Sequence, residues 1–262
     1  SMTIDTTAPA APILTGFGVD TGVVGDKQTE DAFPEIKGRA EPGSTVNIYE
    51  NGVLVGTGVA DAAGNFSIEV GPLSPGAHCF KATATDAAGN TSPLSGPANM
   101  VVDTTPPAPP TIVAVGTDTG IQGDGITSDN TLVISGKAEP GSTVKLYDNG
   151  VLIGTAVADA NGNYSISTNP LADGPHTFTT TATDASGNES DPSAPFQMVI
   201  DTQGPARPVI TSVSQDTGKA GDGITADNTL VISGMAEPNA TVELIVDGVV
   251  VATATADASG NF

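Results

Sequence analysis

The chain is poor in several residue types, and each shortage excludes something. Only one of its 262 residues is cysteine, Cys79, and none is tryptophan. A lone thiol rules out an intrachain disulfide and any CxxC metal or redox motif. Aromatic residues make up 4% of the chain, too few for the aromatic platform that many sugar-binding modules use. No apolar run approaches the roughly 18 residues that signal a spanning helix, so no membrane insertion is expected from these residues. Basic residues are scarce as well: 8 Lys and Arg stand against 30 Asp and Glu, a net charge of −22. Such a surface repels nucleic-acid phosphates and anionic lipid headgroups, which excludes both as partners and leaves cations as the natural counterpart.

What the chain does have is turns and periodicity. Its 32 glycines and 20 prolines imply many short strands, and a hydrophobic fraction of 38% is enough for packed cores. Self-similarity decides the organisation. Asp5, Asp103 and Asp201 each open an Asp-Thr segment at a spacing of 98 residues. Asp20, Asp118 and Asp216 open an Asp-Thr-Gly at the same spacing, as do Glu41, Glu139 and Glu237 in Ala-Glu-Pro and Asp61, Asp159 and Asp257 further on. A period this long is a whole domain, not a helical solenoid unit. The expected domains are therefore residues 1–102, 103–200 and 201–262, the last ending at Phe262 opposite Phe66 and Tyr164 and so covering only part of a repeat.

Repeat 2 shows the strands best. TIVAV (111–115), TLVISGKAE (131–139), STVKLYDNG (142–150), VLIGTAVAD (151–159), NYSIS (163–167), HTFTTTATD (176–184) and APFQMVID (194–201) alternate or are β-branched, and turn signals separate them. Val144 and Leu146 share one face, as do Tyr164 and Ile166, and Phe178, Thr180 and Ala182. The Asp-Asn-Gly at 148–150 marks a hairpin. No stretch has helical spacing. Seven short strands in 98 residues predict an all-β fold: tandem immunoglobulin-like β-sandwich domains arranged as an elongated rod. With no Trp and no Cys pair, the core must rest on small aliphatic residues, which makes extra staples useful.

The strings VDTTPPAPP, DNTLVISGKAEPGSTVKLYDNGVLIGTAVADANGNYSI and TATDASGN resemble the bacterial Ig-like repeats of giant surface adhesins, the biofilm-associated and type I-secreted proteins of Gram-negative bacteria. The resemblance covers nearly the whole chain. It implies an extracellular, cell-surface setting, a stalk role, neighbouring repeats of the same chain as partners, and Ca²⁺ bound between domains.

The acidic residues fit that expectation. In a sandwich successive strands run up and down, so the linker at Asp103, the loop at Glu139, the turn at Asp159 and the loop at Asp184 and Asn188 share one pole. The long first interstrand loop lies at the other. Stacking repeat 1 on repeat 2 would bring Asp20, Asp26 and Asp31 towards Asp103, Glu139 and Asp184. The next junction would use Asp118, Asp124, Asp129, Asp201 and Glu237. Crowded carboxylates repel, and a hard cation with six to eight oxygen ligands relieves them. No loop has the spacing of an EF-hand or of the Gly-rich calcium nonapeptide. Asp61 and Asp159 read as turn residues. Asp86 and Asp184 are open between the two roles, and so are Glu41 and Glu139.

His78 and His176 occupy equivalent positions with no Ser-His-Asp or Cys-His set around them, so both read as structural. Cys79 reads as an exposed thiol, and Tyr49 and Tyr147 as residues of an outer face. The expected function is a structural extender of a large bacterial adhesin, stiffened by Ca²⁺ and serving adhesion and biofilm formation, without enzymatic activity. The alternatives are a module that itself binds a host glycan or protein, and an accessory module of a secreted polysaccharide-active enzyme.

Overall fold

The protein is described by a computed structural model covering residues 4–116, 118–214, 217 and 222–262. Asp216, expected in the third Asp-Thr-Gly, lies outside the described residues. The chain divides into two compact units, Ser1–Asp201 and Thr202–Phe262. Every regular element among the described residues is a strand.

The first unit contains two sandwiches. Repeat 1 is built from β1 (Ile13–Phe17), β2 (Gln28–Thr29), β3 (Glu35–Arg39), β4 (Thr45–Glu50), β5 (Val53–Val59), β6 (Asn65–Glu69), β7 (Gly76–Thr85) and β8 (Ala98–Val102). Strands β1, β3 and β6 form one sheet, and β2, β8, β7, β4 and β5 the other. Repeat 2 follows with β9 (Thr111–Val115), β10 (Ile126–Thr127), β11 (Val133–Lys137), β12 (Thr143–Asp148), β13 (Val151–Val157), β14 (Asn163–Ser167), β15 (Gly174–Thr183) and β16 (Phe196–Ile200). Its sheets have the same order, β9-β11-β14 and β10-β16-β15-β12-β13.

The period-2 patterns land as expected. In β12 Val144 and Leu146 are buried while Lys145 and Tyr147 lie on the other face. Phe178, Thr180 and Ala182 of β15 are buried with them. Ile134, Tyr164, Ile166, Met198 and Ile200 complete the repeat 2 core. Burying one such side chain contributes about 1.5–3 kcal/mol. The Tyr164 hydroxyl finds a partner by donating to Thr111 O at 3.0 Å, and burial pushes its pKa above the usual phenol value. The β12–β13 hairpin turns on Asn149 and Gly150, both at positive φ (49° and 82°). That pair of dihedrals is the type I′ turn whose twist matches the strands it joins.

Seven strands per repeat were expected, and each complete repeat has an eighth. The two-residue strands β2 and β10 run parallel to β8 and β16, so the first loop crosses to the second sheet before returning. Two residues carry no periodicity, and the pairing is visible only in three dimensions. Thr29 and Thr127, which close these strands, are buried.

The second unit has β17 (Val209–Val213) paired with β18 (Ile232–Met235), and β19 (Thr241–Val246) paired with β20 (Val249–Thr255). Phe262 pairs by backbone with Gly234. Leu244 is half-buried where its counterpart Leu146 is fully buried, because no described strand of this unit takes the place of β15.

Candidate functional site

The first loop of repeat 1, residues 18–31, folds on its own polar side chains. Asp20 Oδ2 accepts from Gly25 N at 2.6 Å. Thr21 Oγ1 accepts from Glu30 N at 2.8 Å. Asp26 Oδ1 accepts from Gln28 N at 2.9 Å, and Asp31 Oδ1 from Phe33 N at 2.8 Å. Short Asp and Thr side chains close local turns this way without help from a sheet. Repeat 2 reproduces the set: Asp118 Oδ2 accepts from Gly123 N at 2.6 Å, Thr119 Oγ1 from Ser128 N at 2.7 Å, Asp124 Oδ1 from Ile126 N at 2.9 Å and Asp129 Oδ1 from Thr131 N at 2.9 Å.

One oxygen is left over in each loop. Asp20 Oδ1 and Asp118 Oδ1 are buried and have no hydrogen-bond partner. A buried carboxylate oxygen without a donor is costly, and it recurs here at equivalent positions.

The tip of the first loop of repeat 1 docks on the loop between β15 and β16. Val23 N donates to Ala185 O at 2.9 Å, and the Thr21 hydroxyl donates to Ser186 O. Gly22 has φ +70°, and a Cβ there would collide with the Ala185 carbonyl. Glycine is thus required both by its backbone and by the close approach of the two loops. The linker joins the same cluster through its backbone. Asp103 N donates to Thr29 O at 2.9 Å, and Asp103 O accepts from Asn188 Nδ2 at 2.8 Å. First loop, linker and final loop therefore converge, as their assignment to facing poles predicted.

The carboxylates themselves are more dispersed than the segments that carry them. Asp184 is committed to its own turn: Oδ1 accepts from Gly187 N and Asn188 N at 2.8 and 2.9 Å, and Oδ2 from Asn188 Nδ2 at 2.9 Å. Asp103 Oδ1 accepts from Thr105 N at 3.0 Å. Asp26 and Asp124 are exposed. Glu139 is exposed at a tight turn closed by its carbonyl, which takes Ser142 N at 3.1 Å. Asp201 N donates to Thr127 O at 2.9 Å, matching Asp103 in repeat 1. Glu237 belongs to the second compact unit and is exposed there at its own turn. Among the described residues, no group of three or more His, Cys, Asp or Glu side chains gathers closely enough to hold a metal by those side chains alone.

Asp61 and Asp159 are turn residues, as expected. Asp159 Oδ1 accepts from Asn161 N and Asn163 N, both at 2.8 Å. The Asn163 side-chain amide and backbone N–H hold the Asp159 carboxyl below the usual range. For Asp61 the Asn65 N–H does the same. Sequence reasoning missed Thr21, Gly22 and Val23, because it followed the charges. The signal was present in the whole Asp-Thr-Gly recurring at 98 residues.

The chain belongs to the bacterial Ig-like domain proteins, as a tandem array. Residues 22–102 match the family described as bacterial Ig domain, and residues 105–202 the one described as bacterial Ig-like domain. Among curated proteins none matches the chain. Several solved structures are similar to it. The fibronectin(III)-like modules of Clostridium thermocellum CbhA are 19% identical, with 71% of this chain and 94% of that one covered and a TM-score of 0.45. A structure concerning host cell surface retention of a 1.5-MDa bacterial ice-binding adhesin is 22% identical, covering 95% and 85%, with a TM-score of 0.37. A tetra-tandem repeat in the extending region of a large adhesion protein is 25% identical, covering 99% of this chain and 66% of that one, with a TM-score of 0.30. Among the described residues no helix is long and apolar enough to cross a membrane.

Proposed function

We propose that this chain is an extender segment of a bacterial surface adhesin, displayed outside the cell, whose consecutive repeats are clamped at their junctions and stiffened there by Ca²⁺. The observation that carries the reading is the docked junction, where the Thr21–Val23 tip meets Ala185 and Ser186 and the linker backbone at Asp103 is tied to both sides. A chain of independent binding modules has no need of such a contact. An extender does, because force and reach pass through every junction. The role is mechanical, and the neighbouring repeats are the first partners.

The residues present suit a hard cation. The unpartnered Asp20 Oδ1 and Asp118 Oδ1 are oxygen donors of the kind Ca²⁺ takes, and each loop adds further carboxylates and carbonyls. In repeat 1 the ion would draw first on Asp20 Oδ1 with backbone carbonyls, and Asp26, Asp31 and linker Asp103 would have to turn from their local hydrogen bonds to join it. In repeat 2 it would draw first on Asp118 Oδ1, and Asp124, Asp129 and Asp201 would have to move to join it. When bound it neutralises part of the −22 charge and fixes the loop that docks on the next repeat.

The test is a pair of thermal melts with small-angle scattering, in about 2 mM calcium and in excess chelator, since extracellular modules bind in the ~10⁻⁴–10⁻³ M range. The expected result is a higher melting temperature and a stiffer envelope with calcium, both reduced in Asp20→Asn with Asp118→Asn. Identical curves in the two buffers would leave the acids as turn and solubility residues, and the docked loops alone would set the junction.

A further inference from the structure

His176 opens β15 and is 8% exposed. Its Nδ1 lies 2.7 Å from Asp148 Oδ2, at the end of β12. Its Nε2 lies 2.9 Å from the carbonyl of Ala172, in the segment that leads from β14 into β15. Both partners are acceptors, since a carbonyl carries no proton and a carboxylate only accepts. A neutral imidazole has one N–H and can serve only one of them. We infer that His176 is a buried proton-binding clamp: an imidazolium that donates from both ring nitrogens and ties the end of β12 to the segment entering β15.

Three further observations agree. Asp148 is itself largely buried, its side chain 12% exposed, and its Oδ1 is buried without a partner. Removing the proton would leave that carboxylate uncompensated in a poorly hydrated place, which is expensive. The ring stacks on Phe178 with centroids 6.0 Å apart and planes at 10°, within reach of a cation–π contribution. The arrangement also recurs. His78 Nδ1 is 2.6 Å from Glu50 Oε1 and its Nε2 is 2.7 Å from Ser74 O, so the same pair of acceptors flanks the ring in both complete repeats.

The charged surroundings are simple. Asp148 faces the ring from β12, and Asp173 follows Ala172 in the connecting segment. Across the sheet His176 pairs with Met198 of β16, which brings no charge. In repeat 1 Asp26 and Lys27 share a depression with His78, and their counterparts in repeat 2 are Asp124 and Gly125. Burial opposes the charge on His176. The Ala172 carbonyl and Asp148 outweigh it and hold the imidazole above its usual range.

The clamp lies at the root of the first loop of repeat 2. Val199 of β16 donates to Gly125 O in that loop and pairs with Pro175, beside His176. Losing the proton therefore loosens the base on which the loop stands. The sign follows from the raised folded value. The stabilisation is fully present below the unfolded imidazole pKa of about 6.5 and is lost as pH rises through the folded value. Repeat 2 is thus proton-stabilised, firmer below the folded value of His176 than above it.

The test uses the full chain, which has two histidines, so the imidazole resonances are few. Long-range ¹H–¹⁵N correlation followed through a pH titration should show His176 keeping protons on both nitrogens past the ordinary imidazole value of about 6.5. A His176 that already carries a bare, pyridine-type nitrogen below that value overturns the proposal. In Asp148→Asn the proton affinity of His176 should fall about tenfold or more, the size expected for losing an opposite charge in contact. An unchanged affinity overturns it too. The first measurement needs no variant, so it decides the matter even if the second protein folds poorly.

Discussion

The loops Asp86–Asn90 and Asp184–Asn188 are the same structure in two settings. Asp86 Oδ1 accepts from Ala88 N and Asn90 N at 2.8 and 2.9 Å, and Asn90 Nδ2 reaches Asp5 O at 3.1 Å. Asp184 and Asn188 repeat the asparagine contacts, with Asp103 O in place of Asp5 O, while Gly187 N takes the role of Ala88 N as the other donor to Oδ1. Yet Ala88 is exposed, while its counterpart Ser186 is 1% exposed. What differs is the Thr21–Val23 tip lying on the second loop. The receptor is therefore held by its own Asx turn in both settings, and the docked loop differs by added burial, two hydrogen bonds and one exchanged turn donor. A rigid receptor keeps the entropy cost of the junction low.

The comparison breaks most sharply at the glycines. Gly22 and Gly120 both have positive φ, +70° and +78°, but a Cβ on Gly120 would meet nothing. Alanine at either site costs about 1–2 kcal/mol for the left-handed backbone. Gly22→Ala should also lose the loop-to-loop bonds, for a total of about 3 kcal/mol in thermal unfolding, with faster hydrogen exchange at Val23 N. Gly120→Ala should show the smaller cost alone. Equal effects would mean that the docked tip contributes nothing.

Next in size is the asparagine pair. Asn188 is 6% exposed and its amide serves both Asp184 and the Asp103 carbonyl. Asn188→Ala should destabilise repeat 2 by about 2 kcal/mol, the cost of leaving buried acceptors unpaired. Asn90 is only half-buried, so water takes over its bonds and Asn90→Ala should cost clearly less. Denaturant midpoints of the two variants measure the difference.

The smallest effect is acidic. The Asn90 side-chain amide, with the Asn90 and Ala88 N–H groups, holds the Asp86 carboxyl below the usual range. A depressed folded value gives stability that is present above the unfolded value of about 3.9 and lost as pH falls through the folded one. Melts of the parent and of Asp86→Asn should converge in that acidic window and differ slightly above it.

Much of this was legible in the residues. Alternation placed Val144, Leu146, Phe178 and Ile166 inside because a strand's side chains have a period of two and only one face meets the core. Asn149-Gly150 marked its hairpin because few residues tolerate two positive φ angles in succession. Less legible were β2 and β10, too short to show a period. The acids were read as a converging cluster, and the structure brings their segments together while spending Asp184, Asp26 and Asp31 on local turns. A short carboxylate satisfies the nearest N–H first, and sequence spacing does not say which oxygen remains free.

By itself the sequence determined the 98-residue period, the strand content and the Ig-like family, because these follow from local periodicity and turn chemistry repeated along one chain. Only the tertiary structure decided that Thr21, Gly22 and Val23 meet Ala185 and Ser186, 165 residues separating Thr21 from Ser186, and that Asp20 and Asp118 each keep an oxygen unpartnered. It likewise decided that His176 lies between two acceptors. Such contacts join residues far apart in the chain, and backbone carbonyls, which every residue has, supply half of each pair. No pattern of side chains announces them.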